Sequence, residues 1–564
     1  MTPVPAALRR RRATLVLAAG LGLAWSRGAA AAAKAMPALA TPAPVRGDAP
    51  LLQGLDGWRF PVETRHPQVQ RYADQGVLLV YGFNPEEAAR SLQAAVALDA
   101  ACASAWWALA WALGPNINSD MAPEALPRVQ EALRQARAHA ARAAPVRRAL
   151  IDALSLRHPV GREIDEEAYA QRMQALARRH PRDADVALLA AEALLNLHPY
   201  DWWQPGGRPQ PWTPAIEGLL QRAMALQPRH PGAHHYWIHL QESGPQPQRA
   251  HASADFLRHA YPGSGHLLHM PSHIDMRTGR YDEAIRANQR SIAADEAYLA
   301  QVDAQGAYRV GYVAHNHHFL WAAAGMAGRQ ALALQAAQAA WPAACGPARR
   351  DPGTAIVQQY GVLPYFTLLR FGQWDTLLRG TLPPDGPAPY PLAIWHFARG
   401  TALARTGQAG AAQAELARLQ AVAADAALQA FRIKNINAAA SLVQIATLTL
   451  QAELALARSE PAAAVSLLRA ATAAEDTLAY DEPHLWLAPT RHALGAALLA
   501  AGQADAAAQA YREDLRHYPG NGWSLGGLAL ALQQLRQPEA AARAAAQARV
   551  AFAGAERLPQ GSRF

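Results

Sequence analysis

Seven histidines fall at matching positions of three successive helical segments: His235 and His239, then His266, His269 and His273, then His315 and His318. His269 follows His235 by 34 residues and His273 follows His239 by 34, which is the tetratricopeptide period. Aligning the Gly279-Arg280 and Gly328-Arg329 turns gives an offset of 49, which superimposes His266 on His315 and His269 on His318. Neighbouring repeats stack side by side, so equivalent positions meet in space and imidazoles far apart in sequence converge on one face. The leading expectation for their chemistry is metal ligation.

On a helix, histidines three, four or seven apart share one stripe and can chelate one ion. Pro271, inside the second set, threatens that alignment because it removes a backbone donor and can kink the helix. Glu242, Asp255 and Asp275 stand nearby as ligands or as orienters of the imidazoles, with Glu242 and Asp275 favoured as orienters. All-imidazole sites suit copper, zinc, nickel or iron and not calcium or magnesium; copper is favoured here over iron or zinc. The number of histidines exceeds one tetrahedral site and matches a dinuclear centre with three imidazoles per ion. Coupled dicopper proteins share that ligand count, on a different fold. No His-Glu-x-x-His is present, so the zinc-peptidase arrangement is missing. The rival readings are a histidine-lined, pH-sensitive groove for a peptide or anion, and ordinary packing. His234, His251, His259 and His317 are read as packing residues.

The elements that must hold these residues are helices. From about Gly76 onward, apolar residues recur at three- and four-residue spacing, with Pro, Gly-Arg or Gly-Gln turns between, and strand-like alternation is nearly absent. Asn84-Pro85-Glu86-Glu87 starts the first clear unit. The strongest copies come last, where Leu494-Gly495, Gly502-Gln503-Ala504, Tyr511 and Pro519 follow the tetratricopeptide grammar of small residues at helix crossings and aromatics in the gaps. The expected fold is all-α, a TPR-like α-solenoid of stacked helix pairs whose concave surface receives the histidine helices.

Two segments break the pattern. Leu197 to Thr213, rich in Pro, Gly and Trp, reads as an ordered loop before the first histidine helix; Trp202 and Trp203 there, with Tyr236, are candidate substrate contacts, against the alternative that they glue the loop down. Pro342 to Gly361 reads as a connector. The divisions are 1–40 export signal, 41–75 irregular segment, 76–341 histidine-bearing half, 342–361 connector and 362–564 carboxy-terminal half.

The amino terminus carries Arg9-Arg10-Arg11-Arg12, an apolar stretch from Ala13 to Trp25 and Ala38-Leu39-Ala40, the pattern of an export signal, with a twin-arginine route or an uncleaved anchor as variants. The expected location is periplasmic or secreted. No later segment reads as long and apolar enough to span a bilayer. The net charge of +9 is almost all arginine, Lys34 and Lys434 being the two lysines, and no basic run interleaves with stacking aromatics, so nucleic acid is not an expected partner. Cys102 and Cys345 are too few for a thiolate metal site and read as buried free thiols.

Gly82-Phe83-Asn84, Gly114-Pro115-Asn116, His269-Met270-Pro271-Ser272-His273, His315-Asn316-x-His318-Phe319 and Pro519-Gly520-Asn521-Gly522-Trp523 together resemble a group of exported bacterial tetratricopeptide repeat proteins of largely unassigned function. The resemblance covers most of the chain beyond the signal. It implies the solenoid fold and no settled reaction. In that group the residue after Phe-Asn is commonly histidine, whereas Pro85 stands here. The expected function is therefore an exported solenoid with a multi-histidine metal site that binds, and as an enzyme would oxidise, a small organic or peptidic ligand. The alternatives are a non-catalytic scaffold for a peptide or partner protein on the concave face, or a metal carrier or sensor.

Overall fold

A computed structural model describes residues 36–39, 49–345, 355–380 and 388–564, apart from positions 205, 303, 305, 307, 435 and 487. Helix follows helix through these residues, each packed against its sequence neighbour, as in a TPR-like α-solenoid. Small residues permit the close crossings. A Cβ on Gly76 would meet Leu92 Cγ at 2.5 Å, and the ring of Tyr511 lies against both Gly495 and Gly527. Asn84 starts its helix as the grammar requires, accepting from the Glu87 N–H at 3.3 Å. Gly502 leaves its helix at φ 70°, a left-handed turn that favours glycine.

Helical order begins earlier than expected, at Pro67–Tyr81 rather than near Gly76, because Pro67 pre-sets the first turn and Val69, Ala73 and Val77 form its buried stripe. Helical structure also enters both ends of the expected connector. One helix runs through Pro342 to Cys345 and the next starts at Ala355, since alanine-rich sequence carries a helix past the single donor that proline removes. The export signal lies largely outside the described residues; a strand at its end, Met36–Leu39, pairs in parallel with Ser119–Met121. Cys102 is a buried free thiol, while the side chain of Cys345 lies outside the described residues.

One expectation needs correction: helix Ala439–Ala457, 19 residues with mean hydropathy 1.3, is long and apolar enough to cross a membrane by length and composition. Leu442, Val443, Ile445 and Leu450 on it are buried within the carboxy-terminal half, which is how a core helix also satisfies that test.

The apolar core changes over earlier than the connector. One cluster gathers side chains from Leu55 to Val313, the next from Tyr281 to Phe552, so the two meet at the third histidine helix. There the superhelix closes on itself. Trp523 Nε1 donates to the Gly325 carbonyl at 3.1 Å, and the Tyr281 hydroxyl donates to the Pro519 carbonyl at 3.0 Å. Late repeats are thereby brought against the turn that follows the second histidine helix.

Candidate metal centre

Three helices supply the imidazoles: Pro231–Glu242, the pair Gly265–His269 and Pro271–Arg277, and Ala314–Met326. Pro271 does not break the second stripe. Met270 keeps helical dihedrals (φ −51°, ψ −37°) and the His273 N–H bonds back to the Met270 carbonyl at 3.2 Å, so the two short helices run on as one.

Six of the seven histidines gather into two triads, His235, His239 and His266, and His269, His273 and His315, with one ring nitrogen from each member within 4.8 Å of the others in its triad. Each triad takes an i, i+4 pair from one helix and a third member from the next. The 34-residue and 49-residue offsets map one triad onto the other member by member. His318 matches His269 under the second offset, but its i+4 position is Ala322, so a third triad cannot form. His318 instead stacks on Trp321, ring centroids 5.5 Å apart, with both ring nitrogens buried and unpartnered.

The ring nitrogens facing inward are acceptors. His235 Nδ1 lies 2.5 Å from the Tyr81 carbonyl and His239 Nδ1 lies 2.9 Å from Glu242 Oε1, so both must carry hydrogen on Nδ1 and a lone pair on Nε2. Those two Nε2 atoms are 3.0 Å apart, and His266 Nε2 is 3.2 Å from that of His235. The second triad repeats the arrangement. His269 Nδ1 faces Asn288 Oδ1 at 2.7 Å, His273 Nδ1 faces Glu242 Oε2, and their Nε2 atoms are 2.9 Å apart. Facing lone pairs in a buried site repel unless a cation lies between them. A tetrahedral ion with bonds near 2.0–2.1 Å sets its ligand nitrogens about 3.4 Å apart, close to these separations.

Glu242 ties the triads together, one carboxylate oxygen toward a ligand of each. His239 and His273 approach to 5.7 Å between ring centroids, as do His266 and His269, so two ions here would be neighbours. Burial pushes the Glu242 carboxyl up, but the facing His273 and His239 outweigh it and hold the group well below the usual carboxylate range. Asp275 lies differently. Its oxygens accept from Arg258 at 2.9 and 3.2 Å and lie 3.4 Å from Arg280, an ion-pair cluster behind the helix. Asp255 joins that cluster.

Phenylalanines cover both triads. Phe83 lies 4.4 Å from His235 and 5.3 Å from His266 between ring centroids, and Phe319 lies 4.5–4.8 Å from His273, His269 and His315. A π-helical turn, Arg309–Val313, opens the third helix and sets the Tyr312 ring 4.7 Å from His266. The imidazoles are thus enclosed rather than displayed on an open concave face; His315 alone among the six is half-buried.

The aromatic loop packs against the first histidine helix. Trp202 has no exposed surface, Trp203 Nε1 donates to the Leu240 carbonyl at 2.7 Å, and Trp212 stacks on His198. Tyr236 is buried beside His235, ring centroids 5.6 Å apart. Tyr200 reaches the rim, its ring 6.3 Å from His239 and its hydroxyl donating to Asn118 Oδ1 at 2.6 Å. His234 is spent on Ser253 and the Pro228 carbonyl, as a packing residue is.

Sequence reasoning missed Tyr81, Phe83, Asn288, Tyr312 and Phe319. Phe83 and Phe319 stand in the motifs that carry the family resemblance, but nothing in one sequence separates a ring over an imidazole from ordinary core; Tyr81 acts through its backbone, which leaves no signal.

Burial, with the other imidazoles adding to it, holds His235, His266, His269 and His315 well below 6.5; for His318 burial and then the Lys434 ammonium do so. An unfolded chain takes these protons near pH 6.5 while the folded protein refuses them. Stability of the metal-free protein is therefore unaffected by them above about pH 7 and falls as pH drops through about 6.5, by about 1.4 kcal/mol per pH unit for each such histidine. Urea unfolding at pH 7 and pH 5 checks this; equal midpoints would contradict it.

No family model matches this sequence, and no curated protein matches it. Among solved structures, similar ones are a human IFIT1 dimer with PPP-AAAA (11% identity, 87% of this chain and 92% of that chain, TM-score 0.29), the APC/C hetero-tetramer Cut9-Hcn1 (11%, 87% and 95%, 0.24) and the TPR domain of P58(IPK) (12%, 83% and 98%, 0.21). Scores this low say nothing of function.

Proposed function

We propose that this chain is an exported α-solenoid holding a dinuclear transition-metal centre, copper before iron or zinc, that binds and oxidises a small organic or peptidic substrate. The observation that carries the reading is the pair of buried Nε2···Nε2 contacts, 3.0 Å in one triad and 2.9 Å in the other, whose Nδ1 partners leave only lone pairs facing inward. Three neutral imidazoles per ion suit copper, and export would place the site in an oxidising compartment. Bound copper would supply electron transfer between dioxygen and the substrate. The chain's own residues would do the rest. Tyr81, Glu242 and Asn288 fix the tautomers and ring angles, while Phe83 and Phe319 exclude water and hold the dielectric low. A partner-binding scaffold is the second reading, favoured by the solenoid itself.

Elemental analysis of protein purified after export in copper-supplemented medium should find about two copper ions per chain. Dioxygen uptake with phenol or peptide substrates should then depend on that copper. Less than one transition-metal ion per chain would sink the metal reading and leave the scaffold.

A further inference from the structure

Lysine is nearly absent from this chain, two residues among 53 basic ones, and Lys434 is the one within the described residues. It sits in a small hairpin, Arg432–Ile433 paired with Asn437–Ala438, at φ 51°. Among the described residues five non-glycine residues take a positive φ. Two of them, Phe83 and Tyr200, lie 4.4 Å from His235 and 6.3 Å from His239 between ring centroids, and Lys434 is a third from a distant segment. Backbone strain of that kind persists where surrounding structure holds a side chain to a task.

The Lys434 side chain is 13% exposed; its Nζ donates to Asp481 Oδ1 at 2.8 Å and to the Glu482 carbonyl at 3.3 Å. Asn437 latches hairpin to loop, donating to the Ala479 carbonyl at 3.0 Å and accepting from the Ala479 N–H at 2.9 Å. The loop meets the second histidine helix where Arg277 lies 5.6 Å over the Tyr480 ring. Lys434 is close enough that its charge helps hold His273, His315 and His318 down, and Glu242 in turn acts on Asp481 and Glu482. Asp481 is 7% exposed, and its Oδ2 is a buried acceptor with no donor. Leaving such an oxygen unmatched is costly, and a ligand donor would relieve it.

We propose that Lys434 and Asp481, from the carboxy-terminal half, anchor the substrate of the histidine centre, a small molecule with a carboxylate and an amino or hydroxyl donor on the adjacent carbon. The carboxylate meets the Lys434 ammonium and the neighbouring donor meets Asp481 Oδ2. The inference rests on the metal-centre reading for the chemistry that follows, though not for binding. Lysine rather than arginine fits the task. A guanidinium would engage both Asp481 oxygens through its planar fork and consume the acceptor the ligand needs.

The test is calorimetric titration of the full chain, with its metal content measured on every sample, against L-lactate, L-alanine and propionate. Lactate or alanine should bind at least tenfold more tightly than propionate, and the better of the two identifies the donor. Lys434→Met should weaken binding at least tenfold, and chelation by the probe, equal in the variant, cancels. Asp481→Asn should erase the advantage over propionate. Lys434→Arg should not rescue, whereas a purely structural ion pair would be rescued. In the unaltered protein, a saturating ligand should slow acetic anhydride acylation of Lys434, read by peptide mass spectrometry, at least fivefold. Wild-type affinity in Lys434→Met, full rescue by arginine, or unchanged acylation would overturn the proposal. Ligand binding that needs Lys434 in samples holding no metal would uphold the anchor and remove the metal reading. Full metal content with binding indifferent to Lys434 would do the reverse.

Discussion

Replacing His269 and His273 together by alanine should lower the bound metal from about two ions per chain to about one. The second triad then keeps only His315, and a single imidazole does not hold a transition metal against a mild chelator. The first triad shares no imidazole with the second, so its ion should stay. His235→Ala/His239→Ala should produce the mirror result. Oxidation should vanish in both variants if the two ions act as a unit. Elemental analysis after dialysis against chelator reads the outcome, with circular dichroism confirming the helical fold. His318→Ala is the control: stacked on Trp321 outside both triads, its loss should leave two ions. Two retained ions in the His269→Ala/His273→Ala variant would refute the two-triad assignment.

The second large effect is expected at Glu242. Its two oxygens serve His239 in one triad and His273 in the other, and among the described residues no other carboxylate pairs with either ring. Glutamine keeps the volume but offers one acceptor and one donor, so it can receive only one of the two Nδ1–H groups. The imidazole left facing an N–H is turned or loses basicity. Loss of such an orienting partner typically weakens metal binding 10–100-fold. Glu242→Gln should therefore release one ion at about 10–100-fold lower chelator concentration than the wild type and the other nearly as before. Alanine should be worse, since it deprives both rings and leaves a cavity. The carboxylate is ionised far below its usual range, so retention by the wild type should not depend on titration of Glu242 anywhere above about pH 5. Identical release curves for Glu242→Gln and wild type would remove Glu242 from the site.

The repeat architecture and the grouping of the histidines were legible from one dimension because both are periodic. An amphipathic helix repeats every three or four residues and a helix pair every thirty-odd. The i, i+4 pairs His235/His239 and His269/His273, with the 34- and 49-residue offsets, define by spacing alone which imidazoles are equivalent. The sequence by itself therefore determined the fold class and the region of the centre. It did not determine the partition. That His266 joins the first triad and His315 the second, while His318 joins neither, depends on how far each helix is rotated and shifted against the next, and side-chain packing sets this. The supporting groups are beyond local reading for the same reason. The Tyr81 carbonyl meets His235 across 154 residues, and Tyr480 meets Arg277 of the second histidine helix only because the superhelix closes, with Trp523 on Gly325 and Tyr281 on Pro519. Periodicity is a property of neighbours along the chain, whereas closure is the sum of small rotations over the whole stack, and only the tertiary structure adds them up.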